Sequence, residues 1–168
     1  TRETWEATNE CWIELKLALS KRVKPADMPE VIGTIKRCTA LIRGAFHGTM
    51  LRDDIYNFSR IGTFIERADN TARILDVKYY VLLPAIAKVG SSLDNKQWES
   101  ILRSVSAHRS YGWVYEAEYK PSNIADFLIL NGRMPRSLAY CYDKIVSNLG
   151  YLAREYGEAH AAHATAEE

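Results

Sequence analysis

The chain has 168 residues, 47% of them apolar, so it is the size of one domain with enough hydrophobic side chain to fill a core, which excludes wholesale disorder. Its 22 Lys and Arg against 21 Asp and Glu give a net charge of +1, leaving no global field to draw in nucleic acid or an anionic membrane. Cys11, Cys38 and Cys141 lie far apart, match no metal or redox spacing, and read as reduced thiols filling the core of a cytoplasmic protein.

Five prolines, nine glycines and no sustained apolar–polar alternation predict an all-α chain, a mainly antiparallel helical bundle around one long central helix. A first helix over about Glu3 to Arg22 sets Trp5, Trp12, Leu15 and Leu19 on one face, with Thr8 and Cys11 between them. The second starts after Asp27 as N-cap with Pro29 in its first turn, carries Val31, Ile35, Cys38, Ile42 and Phe46 inward, and exits at Gly48. The third, about Arg52 to Leu83, repeats Phe58, Ile65, Ala72 and Tyr79 every seven residues, and Ile61, Ala68, Leu75 and Leu82 in a second register. Pro84 ends it. The longest apolar run, "YYVLLPAIA", contains that proline and falls far short of a bilayer span.

After "VGSSLDNK" a fourth helix carries Trp98, Ile101, Leu102 and Val105, and a fifth, offset at His108 to Ser110, carries Tyr111, Val114 and Tyr115. A short helix opened by Ser122 or Asn123 stops at Asn131-Gly132, and a new start follows at Pro135. The last helix runs to about Tyr156 with Leu138, Cys141, Ile145, Leu149 and Leu152 inward. Residues 1–156 thus read as one helical domain and residues 157–168 as a flexible tail. The chain opens with Thr1 rather than Met and its helical pattern begins almost at once, so it is expected to be a piece of a longer protein.

A charged stripe of Glu66, Arg67, Asp69, Arg73 and Asp76 flanks the apolar seam of the third helix. Its i,i+4 and i,i+3 pairs can form an exposed lattice worth about 0.2–0.5 kcal/mol per pair. A stripe half covered by a neighbour must instead be paired and hydrogen-bonded. The expectation is that at least two of Glu66, Arg67, Asp69 and Arg73 are buried and bonded to other helices, with Arg103 and Arg136 as cross-helix partners in a binding or structural ion-pair network. The alternative is a hydrolase or transferase in which Glu66 and Asp69 divide acid and base work, one kept protonated by burial and the other ionised through Arg73.

Other chemistry is poorly supplied. Neither His47 nor His108 has a Glu three residues before it, and His160 and His163 lie in the tail, so no metal site is expected. Glycine-rich phosphate loops are absent, no cofactor is expected, and the three cysteines sit mid-helix on apolar faces, where no nucleophile is activated. The aromatics of "HRSYGWVYEAEYK" read as buried rather than as a base-stacking surface, and the Arg136-Ser137 start reads as capping by Ser137 or as an anion cradle with Arg133.

The stretch "GTMLRDDIYNFSRIGTFIERADNTARILDVKYYVLLP" resembles the signature of the alpha-E family, bacterial all-helical proteins named for a Glu-Arg motif, here Glu66-Arg67. The downstream half is also similar, through "DFLIL" and the Pro135-Arg136-Ser137 helix start. Members of that family are longer and begin with another Glu-Arg helix, so the chain resembles their C-terminal portion. The face left by the absent half is expected to take a partner, most simply a second copy in a homo-oligomer. The resemblance further implies a non-enzymatic helical interaction or scaffold subunit, associated with an ATP-grasp-type ligase and a transglutaminase-like protein in a system that makes or trims peptide or amide bonds.

Overall fold

A computed structural model of the chain describes residues 1–80, 91–116 and 119–157. Seven helices and no strand occur among the described residues, so the chain is all-α. They fall into two compact units, Thr1–Tyr56 and Asn57–Glu168.

The first unit is a helical hairpin of α1 (Arg2–Ala18) and α2 (Met28–Thr49). Thr1 caps α1, its hydroxyl accepting from the Thr4 amide at 3.3 Å; α2 opens after Asp27 with Pro29 in its first turn, where the pattern places it, but the Asp27 side chain makes no cap bond. The helices run antiparallel. The Thr1 and Thr49 hydroxyls meet at 2.5 Å at one end, and Arg37 reaches Glu14 through both terminal nitrogens, at 2.5 and 3.3 Å. Arg37 holds the Glu14 carboxyl below its usual range.

The seam between α1 and α2 corrects the sequence reading. Ala7, Cys11, Val31 and Cys38 are buried, whereas Trp5 and Trp12 are 66% and 63% exposed, as are Leu19 and Ile35 to lesser degrees. Small side chains let two helices approach closely, and a tryptophan at the contact line would force them apart. The Cys11 thiol is pushed up to about 11, first by burial, then by its hydrogen bond with Cys38 and the charges of Glu14 and Glu10, as befits core fillers rather than nucleophiles. Gly48 does not stop α2, which continues to Thr49 with Met50 as C-cap. Tyr56 closes the unit: its ring stacks on Phe46 at 5.2 Å, Arg52 lies 4.0 Å over it, and its hydroxyl meets His47 Nδ1 at 3.1 Å.

The third helix, α3 (Asp54–Tyr80), runs unbroken through its described length, with Asp53 Oδ1 accepting from the Tyr56 amide at 3.0 Å in the manner of an N-cap. Its expected end at Leu83 and Pro84, and Leu82 of the second register, lie outside the described residues, as do residues 158–168 of the expected tail.

In the second unit the helices after α3 are α4 (Ser92–Ser104), α5 (His108–Tyr115), α6 (Pro121–Ile129) and α7 (Leu138–Tyr156). Ser91 caps α4, and Ser106, at φ 56°, turns the chain toward α5 two residues before the offset the pattern places at His108. The first turn of α6 belongs to Pro121, not to Ser122 or Asn123: a proline there has no amide to leave unsatisfied. Gly157, at φ 72°, takes the left-handed position that ends α7.

The core of this unit joins Trp98, Ile101 and Leu102 of α4 and Val105, its C-cap, to Tyr111 of α5 and to Ile124, Phe127 and Leu128 of α6, with Leu75 of α3 and Met134. Tyr111 stacks on Tyr115 at 5.0 Å and meets Phe127 edge-on, so this ring is core, whereas Trp113 of the same stretch is 85% exposed, against the expectation that its aromatics are buried. Cys141 and Leu152 of α7 are buried as expected, with Asn148, which donates to the Lys144 carbonyl.

Candidate functional site

The buried face of α3 in the second unit is Asn57, Phe64, Thr71 and Lys78, a strict seven-residue register, joined by Leu75. It lies one residue before the expected register of Phe58, Ile65 and Ala72, whereas in the second expected register Leu75 is buried and Ile61 and Ala68 are half-buried, so the inward face is turned by only part of the ~100° step between neighbouring residues. Phe58 and Ile65 are 58% and 54% exposed. Burial of the polar register is feasible because each of two members finds a partner across the unit: Thr71 Oγ1 donates to the Arg136 carbonyl at 2.8 Å, and Lys78 Nζ donates to Asp94 Oδ1 at 2.6 Å.

Glu66 and Arg67, adjacent in sequence, face different surroundings. The Arg67 guanidinium donates to the Pro135 carbonyl at 3.1 Å and lies 5.3 Å from the centre of the Phe64 ring, whose other neighbours include Arg60 and Tyr140. Glu66 is exposed and pairs with none of the described residues. Arg67 and Thr71 therefore fasten the turn at Pro135 and Arg136 onto α3. That turn is built to be fastened: Asn131 Oδ1 accepts from the Arg133 and Met134 amides, and Ser137 donates to the Asn131 carbonyl at 2.6 Å. The same Ser137 oxygen accepts from the Tyr140 amide at 3.0 Å, so this helix start is capped from within. Cys141 Sγ lies 3.9 Å from the Pro135 carbonyl; burial pushes its thiol up against a lowering pull from Arg67 and Arg136.

The remainder of the stripe does not meet the expectation of burial. Asp69 and Arg73 form an i,i+4 pair at 2.7 Å, both well exposed, and Asp76 is exposed. Arg103 does not cross to the carboxylates of α3: it pairs with Glu99 of its own helix at 2.6 Å, holding that carboxyl below its usual range. Arg136 contributes its carbonyl to Thr71. At least two of Glu66, Arg67, Asp69 and Arg73 are expected to be buried and cross-bonded; among the described residues only half-buried Arg67 bonds outside α3. The physical reason is the rotation of α3: turning the polar register inward carries Glu66, Asp69 and Arg73 outward with Ile65.

Lys78 escaped the sequence reading. Its ammonium is fully buried with Asp94 and also donates to Gln97 Oε1 at 2.7 Å, 5.0 Å from the centre of the Trp98 ring. The one local signal was its place seven residues after Thr71 in a register whose polar content argued against burial. Among the described residues no group of three His, Cys, Asp or Glu is assembled to hold a metal, and no described helix is long and apolar enough to cross a membrane.

An all-helical chain in which a Glu-Arg step on a long helix divides its two side chains, one outward and one onto a neighbouring turn, defines the class. The model of the Alpha-E family, a predicted alpha-helical domain with a conserved ER motif, matches residues 1–168, the whole chain, and the protein belongs to that family. Glu66-Arg67 is the sole Glu-Arg step in the sequence and is thus the motif that the description names. No curated protein matches the chain, and no solved structure does.

Proposed function

We propose that the protein is a non-enzymatic helical interaction or scaffold subunit, working with an ATP-grasp-type ligase and a transglutaminase-like protein in a bacterial, cytoplasmic system that forms or trims peptide or amide bonds. The observation that carries this reading is the outward face of α3. Phe58, Ile65 and Ala72 recur there in a seven-residue register, all exposed, with Glu66, Asp69 and Arg73 beside them. An apolar strip rimmed by charge is the anatomy of a protein interface rather than of a solvated helix surface. A second copy covers the apolar register in a two-fold dimer, which makes α3 the central helix of a mainly antiparallel bundle, and the charged rim faces the ligase.

The hydrolase or transferase alternative needs Glu66 and Asp69 in a cleft that shifts one carboxyl against the other. Both are exposed, Asp69 is tied to a still more exposed Arg73, and neither lines the groove between α3 and α4. This geometry favours the scaffold. The test is co-purification of the full-length protein with the ligase and the transglutaminase-like protein, followed by an assay of ATP-dependent amide formation with and without it. The expected result is a complex whose yield of amide rises with the helical subunit and falls with Glu66→Lys. Turnover of a peptide by the full-length protein alone, abolished in Glu66→Gln, overturns the scaffold and installs the enzyme.

A further inference from the structure

A groove of about 550 Å³ opens between α3 and α4, within the size range of small-ligand sites. Ile74, Val77 and Ile101 supply apolar lining; its polar lining residues are Asn70, Arg73, Lys96, Gln97, Ser100 and Ser104, with no carboxylate among them. The neighbouring acids are engaged elsewhere. Asp69 takes the Nε of Arg73, leaving both terminal nitrogens of that guanidinium unbonded among the described residues. Glu99 is bonded to Arg103 and attracts Lys96 only through space.

Gln97 adds a directed donor. Lys78 Nζ has hydrogens to give and no lone pair to receive, so the Gln97 atom 2.7 Å from it is the carbonyl oxygen. The amide NH2 is not used by Lys78 and belongs to a side chain that lines the groove, and Lys78, itself held by Asp94, fixes which way round the amide lies. Two cations and the Gln97 amide beside an apolar wall suit an anion attached to a hydrophobic group. A bare phosphate would use the donors and leave the wall wet.

We propose that this groove binds the C-terminal end of a peptide whose last residue is apolar, with Arg73, Lys96 and the Gln97 amide on the carboxylate and Ile74, Val77 and Ile101 around the side chain. This goes beyond the scaffold reading and does not depend on it. It supplies a class of substrate, a peptide presented by its carboxyl end, to a protein otherwise read only as an interaction surface.

The experiment titrates the full-length protein with acetyl-Ala-Ala-Leu bearing a free carboxylate, with the same peptide as its C-terminal amide, and with inorganic phosphate, following backbone and Gln side-chain amide resonances by NMR. The free acid is expected to shift the Gln97 side-chain amide and residues of both helices, with the peptide amide and phosphate each weaker by about tenfold or more. Arg73→Gln and Lys96→Gln, both at exposed positions, should each weaken the free acid by about tenfold with unchanged thermal melting, while Asp69→Asn retains or tightens it. Equal binding of acid and amide, phosphate matching the peptide, or no shift at these residues at millimolar peptide overturns the proposal. If binding fails while co-purification with the ligase succeeds, the groove is wrong and the scaffold stands; if the peptide binds as expected while no partner co-purifies, the groove stands and the scaffold is wrong.

Discussion

Lys78 of α3 and Asp94 of α4 form an ion pair at 2.6 Å with side chains only 1% and 4% exposed, the most deeply buried of the protein's described salt bridges. Both partners lose their water in that position, so the pair is stable only while it is intact and its remaining donors are met. Gln97 and the face of Trp98 meet them.

Removing one partner leaves a buried, uncompensated charge. Lys78→Met or Asp94→Leu alone should therefore destabilise the second unit by about 3–5 kcal/mol, and the double substitution should recover much of that loss. Urea denaturation of the two single variants and the double variant measures the coupling, and additive losses would show that the pair is not the joint between α3 and α4.

The two halves of the Glu-Arg motif should separate experimentally. Arg67→Ala loses the bond to the Pro135 carbonyl and its contact with Phe64, at a cost of about 1–3 kcal/mol. Glu66→Gln, on an exposed side chain, should stay within about 0.5 kcal/mol of the parent in thermal denaturation while weakening ligase co-purification. Equal stability losses in the two variants would contradict the division of roles.

A third outcome is read by pH. The Tyr115 hydroxyl donates to Asp126 Oδ2, and that bond, followed by burial and the Asp126 charge, pushes the phenol from 10.0 up to about 12. The protonated phenol is the form that the folded state favours. Its contribution is thus complete below the ordinary tyrosine value and is lost as pH rises from about 10 through 12. Ultraviolet titration of Asp126→Ala should show Tyr115 ionising at lower pH, with a smaller fall in stability across that window; an unchanged profile would mean that the bond does not govern the titration.

The exposed register of α3 gives a fourth. Ile65→Glu and Phe58→Ser alter side chains that are more than half exposed, so melting should change little. Sedimentation should shift from dimer to monomer in both variants. A parent protein that is monomeric at high concentration, or variants that associate as well as the parent, would remove the apolar strip from the interface.

Much of the secondary structure was legible in the sequence, because its signals are local. Pro29, Ser137 and Gly157 mark helix ends through bonds or dihedral angles that need only adjacent residues, and the long pattern of α3 excludes a strand without reference to any neighbour. The buried residues of α4 and α7, Trp98, Ile101, Leu102, Cys141 and Leu152, follow from periodicity for the same reason.

Which faces of α1 and α3 turn inward was a tertiary decision. On α1 the tryptophans made the stronger apolar face, but close approach of α2 selected Ala7 and Cys11. On α3 the apolar register pointed to Phe58 and Ile65, whereas partners distant in sequence, the Arg136 carbonyl for Thr71 and Asp94 for Lys78, made it possible to bury a polar register instead. A single sequence determines which rotations of a helix hide apolar surface. It does not determine which buried polar groups will find a partner, because that depends on atoms brought together only when the chain has folded.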